Sequence, residues 1–223
     1  MCKLTNEQML RYFIFKDCGF DEEIAKKSYD FVMGNRPEPQ PESKPATELA
    51  DGIYLMYGKT AVPYTGYEVS KDGKEGCTGI GVKFGGKSLV LTLFDIGDDD
   101  RPLTTKPGGK RFITDYHEAA EDMDGMPATN DIRDILNMGI SDDEYIPSLG
   151  ELYFMLAHFT QINAALEAVG GEPLRNDWYW SSTQYSATGA WLLYLGNGLA
   201  DNRAKAAYRG RVRPVSAFLP LNS

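Results

Sequence analysis

The segment from residue 178 to residue 191 reads WYWSSTQYSATGAW, and it restricts the fold more than any other part of the chain. It contains all 3 tryptophans of the protein, with serines and threonines between them and no acidic or basic side chain. Large aromatic rings are typical of packed cores, whereas runs of hydroxyl side chains are typical of loops and turns. Any fold that accepts this chain must therefore place both kinds of residue within one short segment.

The size and composition predict one substantial domain with an appendage, or two small domains. The chain has 223 residues, of which 42% are hydrophobic and 12% aromatic, so a packed core is expected. The formal net charge of −9 repels a phosphate backbone on average. General nucleic-acid binding is therefore not expected, although a local basic patch remains open.

The cysteines and the N-terminal residues indicate a product of a reducing compartment. Cys2, Cys18 and Cys77 are odd in number and show no CxxC spacing, so the sequence predicts neither a disulfide framework nor a zinc site. The first residues, MCKLTNEQMLRYF, lack the apolar run of a signal peptide. No run of about 18 apolar residues predicts a membrane-spanning helix. We therefore expect synthesis in the cytoplasm without a signal peptide, and no membrane insertion.

Three segments are predicted along the chain. Residues 1–34 resemble two short helices, which bury too little apolar surface to be stable alone. We expect them to dock on a partner, on another copy of the chain or on the main domain. Residues 35–47 contain NRPEPQPESKP, whose prolines indicate an extended linker. Residues 48–223 form the main domain, with a predicted α+β fold.

The main domain contains three clear strand signals. GIYLMY at 52–57 predicts a short strand, and Gly85-Gly86-Lys87 predicts the turn of a hairpin between two apolar strands. Residues 190–198 read AWLLYLGNG and predict a strand followed by an Asn-Gly turn. Alternation along this strand predicts a core face and a mixed face. Trp191, Leu193 and Leu195 form the first, and Leu192, Tyr194 and Gly196 form the second.

Two helical regions are predicted as well. TNDIRDILNM, around residues 129–138, begins with a cap signal and places isoleucines and a leucine on one face. Ser148 and Glu151 form the S-x-x-E pattern of a capping box, so a stronger helical region is expected to begin there. It is expected to end at Gly170-Gly171.

Several motifs of the main domain occur together in a known order. They read YIPSLGELYFML, INAAL, YWSSTQYS, AW, NG, K and VRPV. This set resembles a bacterial and phage family with a C-type-lectin-type fold, whose members typically read LPSLGEL, YWSSTEYS, AW, NG and YVRPV. The resemblance covers roughly residues 50–218. Variable proteins of diversity-generating retroelements use the same ending, and in those systems a reverse transcriptase rewrites selected codons near the C-terminus.

The resemblance implies a C-type-lectin-like domain of mixed or antiparallel sheets with two or three helices. In such a domain the scaffold would include Trp180, Trp191, Ser181, Ser182 and Thr183. The variable region would cover about residues 178–215. The positions between the motifs would form the ligand-binding surface, and in this chain they are Ala187, Thr188, Gly189, Leu192, Tyr194, Gly196, Leu199, Asp201, Arg203, Ala206, Tyr208 and Arg209.

The resemblance further implies a non-catalytic ligand- or receptor-binding protein. Its partner would be a protein or glycan receptor on a target cell surface, and a phage tail protein carried on the virion is one such role. The alternative is a fixed structural or assembly module of a virion or cell surface with the same fold. Family members often carry asparagine-rich runs after NG, where this chain reads LADNRAKAA. Both a rewritten copy and a non-diversifying relative would have such a sequence.

No catalytic group, metal site or cofactor is predicted. GEPLRNDW at 171–178 has Leu174 where an animal lectin has a carboxamide ligand for calcium, and EDMDGM and GDDD lack the spacing of an EF-hand. His117 and His158 are isolated, and His158 is expected to pack within a helix. No nucleophile has a recognisable base beside it. Cys77 is alone in the main domain, whereas the formylglycine-generating enzymes of the same broad fold need paired cysteines.

The last basic segment contains Arg203, Arg209, Arg211 and Arg213. Arg211 and Arg213 alternate around Val212, so they are expected to share a strand face. Arg213 belongs to the VRPV motif and is expected to pair with a buried acid. Arg203 and Arg209 are expected to be exposed, where solvation and ligand contact both remain open.

Overall fold

The computed structural model describes residues 49–97 and 100–219, which form an α+β arrangement of two antiparallel sheets and several short helices. The predicted helices of residues 1–34 and the predicted linker of residues 35–47 lie outside the described residues. In the described ranges, no helix has both the length and the apolar character needed to cross a membrane.

The larger sheet has six strands in the order β2-β1-β3-β4-β9-β5. The predicted strand at 52–57 is confirmed as β1, and the predicted hairpin is confirmed as β3 and β4. Its two turn residues, Gly85 and Gly86, have φ angles of 57° and 83°, which glycine adopts without steric cost. The six strands are β1 (Gly52–Tyr57), β2 (Thr60–Pro63), β3 (Gly79–Phe84), β4 (Lys87–Leu91), β5 (Glu144–Tyr145) and β9 (Val215–Ser216).

The smaller sheet has the order β6-β7-β8, with β6 at Trp178–Gln184, β7 at Gly189–Tyr194 and β8 at Leu199–Ala204. Both faces of β7 are buried. Trp191 and Leu193 belong to the main core, while Leu192 belongs to a second core on the opposite face. A continuous apolar run is typical of a strand that is covered on both sides.

The helices are α1 (Lys71–Gly76), α2 (Tyr116–Glu121), α3 (Gly125–Ile132), α4 (Leu149–Ala157) and α5 (Phe159–Val169), and Arg133–Ile135 adds a 3-10 turn after α3. The predicted capping box at Ser148 and Glu151 is confirmed, as is the end at Gly170, whose φ is 79°. The helix predicted around 129–138 is wrong in position. It begins at Gly125, because the Asp124 carboxylate accepts the Met126 N–H, and Thr129 instead exchanges hydrogen bonds with Ile146.

The main core joins the larger sheet, α4, α5 and one face of the smaller sheet. Leu152 and Leu166 are fully buried in it, between sheet residues such as Ile80 and Leu193. The second core covers the opposite face of the smaller sheet and consists of Leu103, Ile132, Ile146, Trp180, Ala190, Leu192 and Val212. The smaller sheet is therefore held from both sides, which makes it a rigid support for the side chains at its margin.

Candidate binding surface on the smaller sheet

The register of β7 and β8 brings several predicted site residues to one face of the smaller sheet. Tyr194 lies opposite Leu199, and Leu192 lies opposite Asp201. Directly opposed residues of antiparallel strands point to the same side, and so do residues two positions apart. Arg203 therefore shares this face. We call its exposed and half-exposed members, Trp178, Tyr194, Leu199, Asp201, Arg203 and Tyr208, the β8 surface.

Contacts among these side chains fix their arrangement. The rings of Trp178 and Tyr194 have centroids 5.5 Å apart. Arg203 Nη2 lies 2.5 Å from Asp201 Oδ2, and the Arg203 guanidinium lies 5.7 Å from the centroid of the Tyr208 ring. Leu199 is 57% exposed, which is unusual for a leucine on a strand. Aromatic rings, a guanidinium group and an exposed leucine are side chains suited to non-covalent recognition.

The residues beneath the β8 surface are buried and hydrogen-bonded. Trp180 packs edge-on against Tyr208 at 6.1 Å, and its indole N–H donates to Arg101 O at 2.9 Å. On the opposite face, the Trp191 indole N–H donates to Ile113 O at 2.8 Å, and Ser181 Oγ donates to Trp191 O at 2.9 Å. The predicted scaffold residues Trp180, Trp191, Ser181, Ser182 and Thr183 are all buried.

The twelve predicted binding positions divide by exposure. Ala187, Thr188, Gly196, Leu199, Arg203, Ala206 and Arg209 are exposed, and Tyr194, Asp201 and Tyr208 are half-buried. The exposure predicted for the other two, Gly189 and Leu192, is wrong. Leu192 is fully buried in the second core, and a Cβ at Gly189 would lie 3.3 Å from Ser186 Oγ, so neither residue faces a ligand.

The exposed and half-buried positions lie in different parts of the smaller sheet and its turns. Tyr194, Leu199, Asp201, Arg203 and Tyr208 belong to the β8 surface. Ala187 and Thr188 lie in the turn between β6 and β7, and Gly196 lies in the turn between β7 and β8, at the opposite end of the hairpin. Ala206 and Arg209 lie in the loop that follows β8. The structure therefore brings five of the twelve positions together and distributes the other exposed ones around them.

Lys205, the K of the motif series, is a functional candidate to which the sequence analysis assigns no role. It is fully buried at the end of β8, and its ammonium group donates to Gly108 O at 2.5 Å, to Ser186 O at 3.4 Å and to Gln184 Oε1. Burial lowers the pKa of Lys205 from 10.5 to about 8. The amine is therefore still charged at neutral pH. Its position in the K of the motif series was the only sequence signal for a special role.

A second buried network surrounds Asp95. Arg213 Nε lies 2.6 Å from Asp95 Oδ1, which confirms the predicted pairing of Arg213 with a buried acid. Arg211 Nη1 and the Tyr179 hydroxyl both donate to Asp95 Oδ2 at 3.1 Å. Burial, followed by the Asp95 charge, raises the pKa of Tyr179 above its ordinary value. Asp177 also accepts from Arg211, so this network links the start of β6 to the arginine segment.

The histidines and acidic loops make local contacts. His158 is half-buried at the junction of α4 and α5, where its ring stacks on Phe84 at 3.8 Å. In EDMDGM, Asp122 accepts from the Thr183 hydroxyl. Within the described part of the chain, no group of three or more histidine, cysteine or acidic side chains could hold a metal ion. Part of GDDD, residues 98 and 99, lies outside it.

The described residues therefore define an antiparallel α+β domain with a rigid sheet and an exposed margin of aromatic, apolar and charged side chains. Comparison of the chain with protein-family models, with curated proteins and with solved structures found no match.

Proposed function

We propose that this chain is a non-catalytic ligand-binding protein whose C-type-lectin-like scaffold displays a diversified surface, as in the variable proteins of diversity-generating retroelements. The observation that carries this proposal is the β8 surface. Five predicted variable positions share it, while the motif residues Trp180, Trp191 and Arg213 are buried. A phage tail receptor-binding role, with a protein or glycan receptor as the target, fits this arrangement.

The motif residues have structural tasks, which supports the proposal. Ser148 caps α4, Trp180 and Trp191 fill the two cores, and Arg213 pairs with Asp95. Gly198, in the NG motif, adopts a φ of 76° in the turn before β8. A scaffold of this kind can keep its motifs fixed while the exposed residues between them change.

The side chains of the β8 surface have the chemistry of binding anchors. Tyrosine supplies a large contact area at a low cost in conformational entropy, and tyrosine and arginine are both enriched at measured binding hot spots. Tyr194 and Tyr208 are half-buried, so their rings are partly held in place before any ligand arrives. The Asp201–Arg203 pair can exchange its internal contact for contacts with a ligand.

A randomised library tests the binding surface. Codons for Tyr194, Leu199, Asp201, Arg203 and Tyr208 are varied together, and the displayed chains are selected against purified streptavidin. We expect most members to fold and some to bind. A matched library at the buried positions Trp180, Ala190, Leu192 and Val212 should fail to fold. Equal losses of folded protein in the two libraries would contradict the proposal.

The genomic neighbourhood tests the diversification itself. The proposal predicts, downstream of the gene, a near-copy of codons 178–215 that differs mainly at adenines, next to a reverse transcriptase gene. If the downstream DNA holds neither, the fixed structural or assembly module becomes the better conclusion.

A further inference from the structure

Lys205 carries its charge into the protein interior without a carboxylate partner. None of the ion pairs found in residues 49–97 and 100–219 includes it, and its side chain is fully buried. Carbonyl oxygens surround the ammonium group instead. We propose that Gly108, Gln184 and Ser186 form a binding site for a primary ammonium cation, which the intact chain fills with its own Lys205 side chain.

The number and type of acceptors match an ammonium ion. A lysine ammonium has three N–H donors and no acceptor, and it is placed here against three carbonyl oxygens. A neutral amine has only two N–H donors, so one acceptor would face its lone pair. Burying a cation without a paired carboxylate is costly, and the three carbonyl acceptors reduce this cost because each N–H group has an oxygen to donate to.

The site is preorganised by its neighbours. The Gln184 side-chain amide donates to Ser182 O at 2.6 Å, which turns its carbonyl oxygen toward Lys205. Gly109 has a φ of 107°, and a Cβ at this position would lie 3.2 Å from Gln184 Oε1 and 3.5 Å from Lys205 Nζ. The glycine therefore lets the loop close over the ammonium group.

The backbone of Lys205 joins three segments of the chain. The Lys205 N–H donates to Thr188 O at 2.9 Å, and the Thr104 N–H donates to Lys205 O at 3.0 Å. The Gly108 N–H donates to Ala187 O at 2.8 Å. The cation thus holds the loop at 104–109 against the turn between β6 and β7. This inference stands independently of what the β8 surface recognises.

The three carbonyl acceptors determine which class of cation can bind at the site. Three carbonyl oxygens are fewer than the 6–8 oxygens that calcium prefers. They suit an ion that presents three N–H groups to them, and a quaternary ammonium ion has none to present. The expected ligands are therefore primary alkylammonium ions.

Chemical rescue tests the site. Lys205→Ala removes the atoms from Cγ to Nζ, which n-propylammonium can replace. We expect n-propylammonium to raise the Tm of this variant by about 2–4 °C or more at concentrations well above its Kd, with the logarithmic dependence on concentration that a single site gives. At equal ionic strength, tetramethylammonium should give no such rise, and neither should 1-propanol. The wild type and the exposed-site control Lys110→Ala should not respond to any of the three.

Equal effects of n-propylammonium and tetramethylammonium on Lys205→Ala would overturn the proposal. If Lys205→Ala does not fold, 15N NMR of the wild-type protein tests the proposal instead. Its Lys205 Nζ should give a slowly exchanging ammonium signal in 15N NMR at pH 6–7, because bulk water cannot reach a fully buried, hydrogen-bonded group. A rapidly exchanging Nζ would show that the cage does not hold the ion.

Discussion

Lys205 and Arg213 are both fully buried cations, yet their charges are balanced by different partners. Arg213 pairs with the Asp95 carboxylate and also donates to the carbonyl oxygens of Thr92 and Glu172. Lys205 instead donates to three carbonyl oxygens, and no ion pair among the described residues includes it. Removing Asp95 leaves the buried charge of Arg213 unbalanced. The Lys205 site is instead sensitive to whether the amine itself is protonated.

The Asp95 site predicts a large loss of stability in Asp95→Asn. This substitution leaves Arg213 and Arg211 without their shared buried carboxylate, and it should reduce the free energy of unfolding by about 3–5 kcal/mol. Asp177→Asn is the matched control, because Asp177 also pairs with Arg211 but its side chain is 36% exposed. It should cost about 1 kcal/mol or less. Urea unfolding measures both, and similar losses would show that burial does not set the energy of this network.

The Lys205 site predicts a pH dependence of stability. Because the pKa is lowered from 10.5 to about 8, the unfolded chain keeps a proton between these values that the folded chain releases. The Lys205 contribution to folding stability therefore rises with pH across this window, because the neutral amine does not incur the cost of burying a charge. Burial raises the pKa of Cys77, which has the opposite effect as its thiol ionises in the unfolded chain.

Comparing the wild type with Lys205→Met isolates the contribution of Lys205 to the pH dependence of stability, since Cys77 is present in both proteins. Urea unfolding between pH 7.5 and 10.5 should show the wild type gaining stability relative to this variant. Parallel pH curves would mean that the folded-state pKa is not lowered.

At the scale of elements, β8 is an edge strand that limits its own pairing. No further strand joins it in the described part of the smaller sheet. Asp201 Oδ1 accepts the backbone N–H of Asn202 at 2.7 Å, and Asp201 Oδ2 pairs with Arg203. An exposed edge with free N–H groups invites association with other strands, and charged side chains at the edge oppose it.

Asp201→Ala is therefore expected to promote self-association relative to the wild type. It frees the Asn202 N–H, which then offers an unpaired donor at the edge. Light scattering after size exclusion should show a mass that increases with protein concentration. Asp201→Asn keeps an oxygen acceptor for the Asn202 N–H and should behave as the wild type. If both variants associate equally, the charge rather than the hydrogen bond protects the edge.

Local signals predicted several elements correctly, and long-range contacts account for the misses. The hairpin at Gly85-Gly86 and the capping box at Ser148 depend on neighbouring residues alone. Burial of Leu192 depends on Leu103 and Val212, which are distant in the chain. The apolar run AWLLYL is typical of a strand buried on both faces, whereas alternation predicts one buried face, and the two patterns overlap at Leu192. No sequence pattern paired Lys205 with the carbonyl of Gly108, 97 residues away.

For the whole molecule, the two cores decide which positions can change. Leu192→Ala should cost about 2–5 kcal/mol, because it leaves a cavity in the second core. Leu199→Ala, on the same face but 57% exposed, should change stability by about 0.5 kcal/mol or less. Thermal and urea unfolding compare the pair directly. A similar cost at both positions would mean that the β8 surface belongs to the packed structure rather than to its replaceable margin.

The larger sheet is completed by a strand from the far end of the described chain. β9 contains only Val215 and Ser216, yet it lies between β4 and β5 and follows the other eight described strands in sequence. During translation, the ribosome must release these residues before the sheet can close. The larger sheet therefore stays incomplete until Val215 and Ser216 have been synthesised, and until then β4 offers an open edge to chaperones or to other nascent chains.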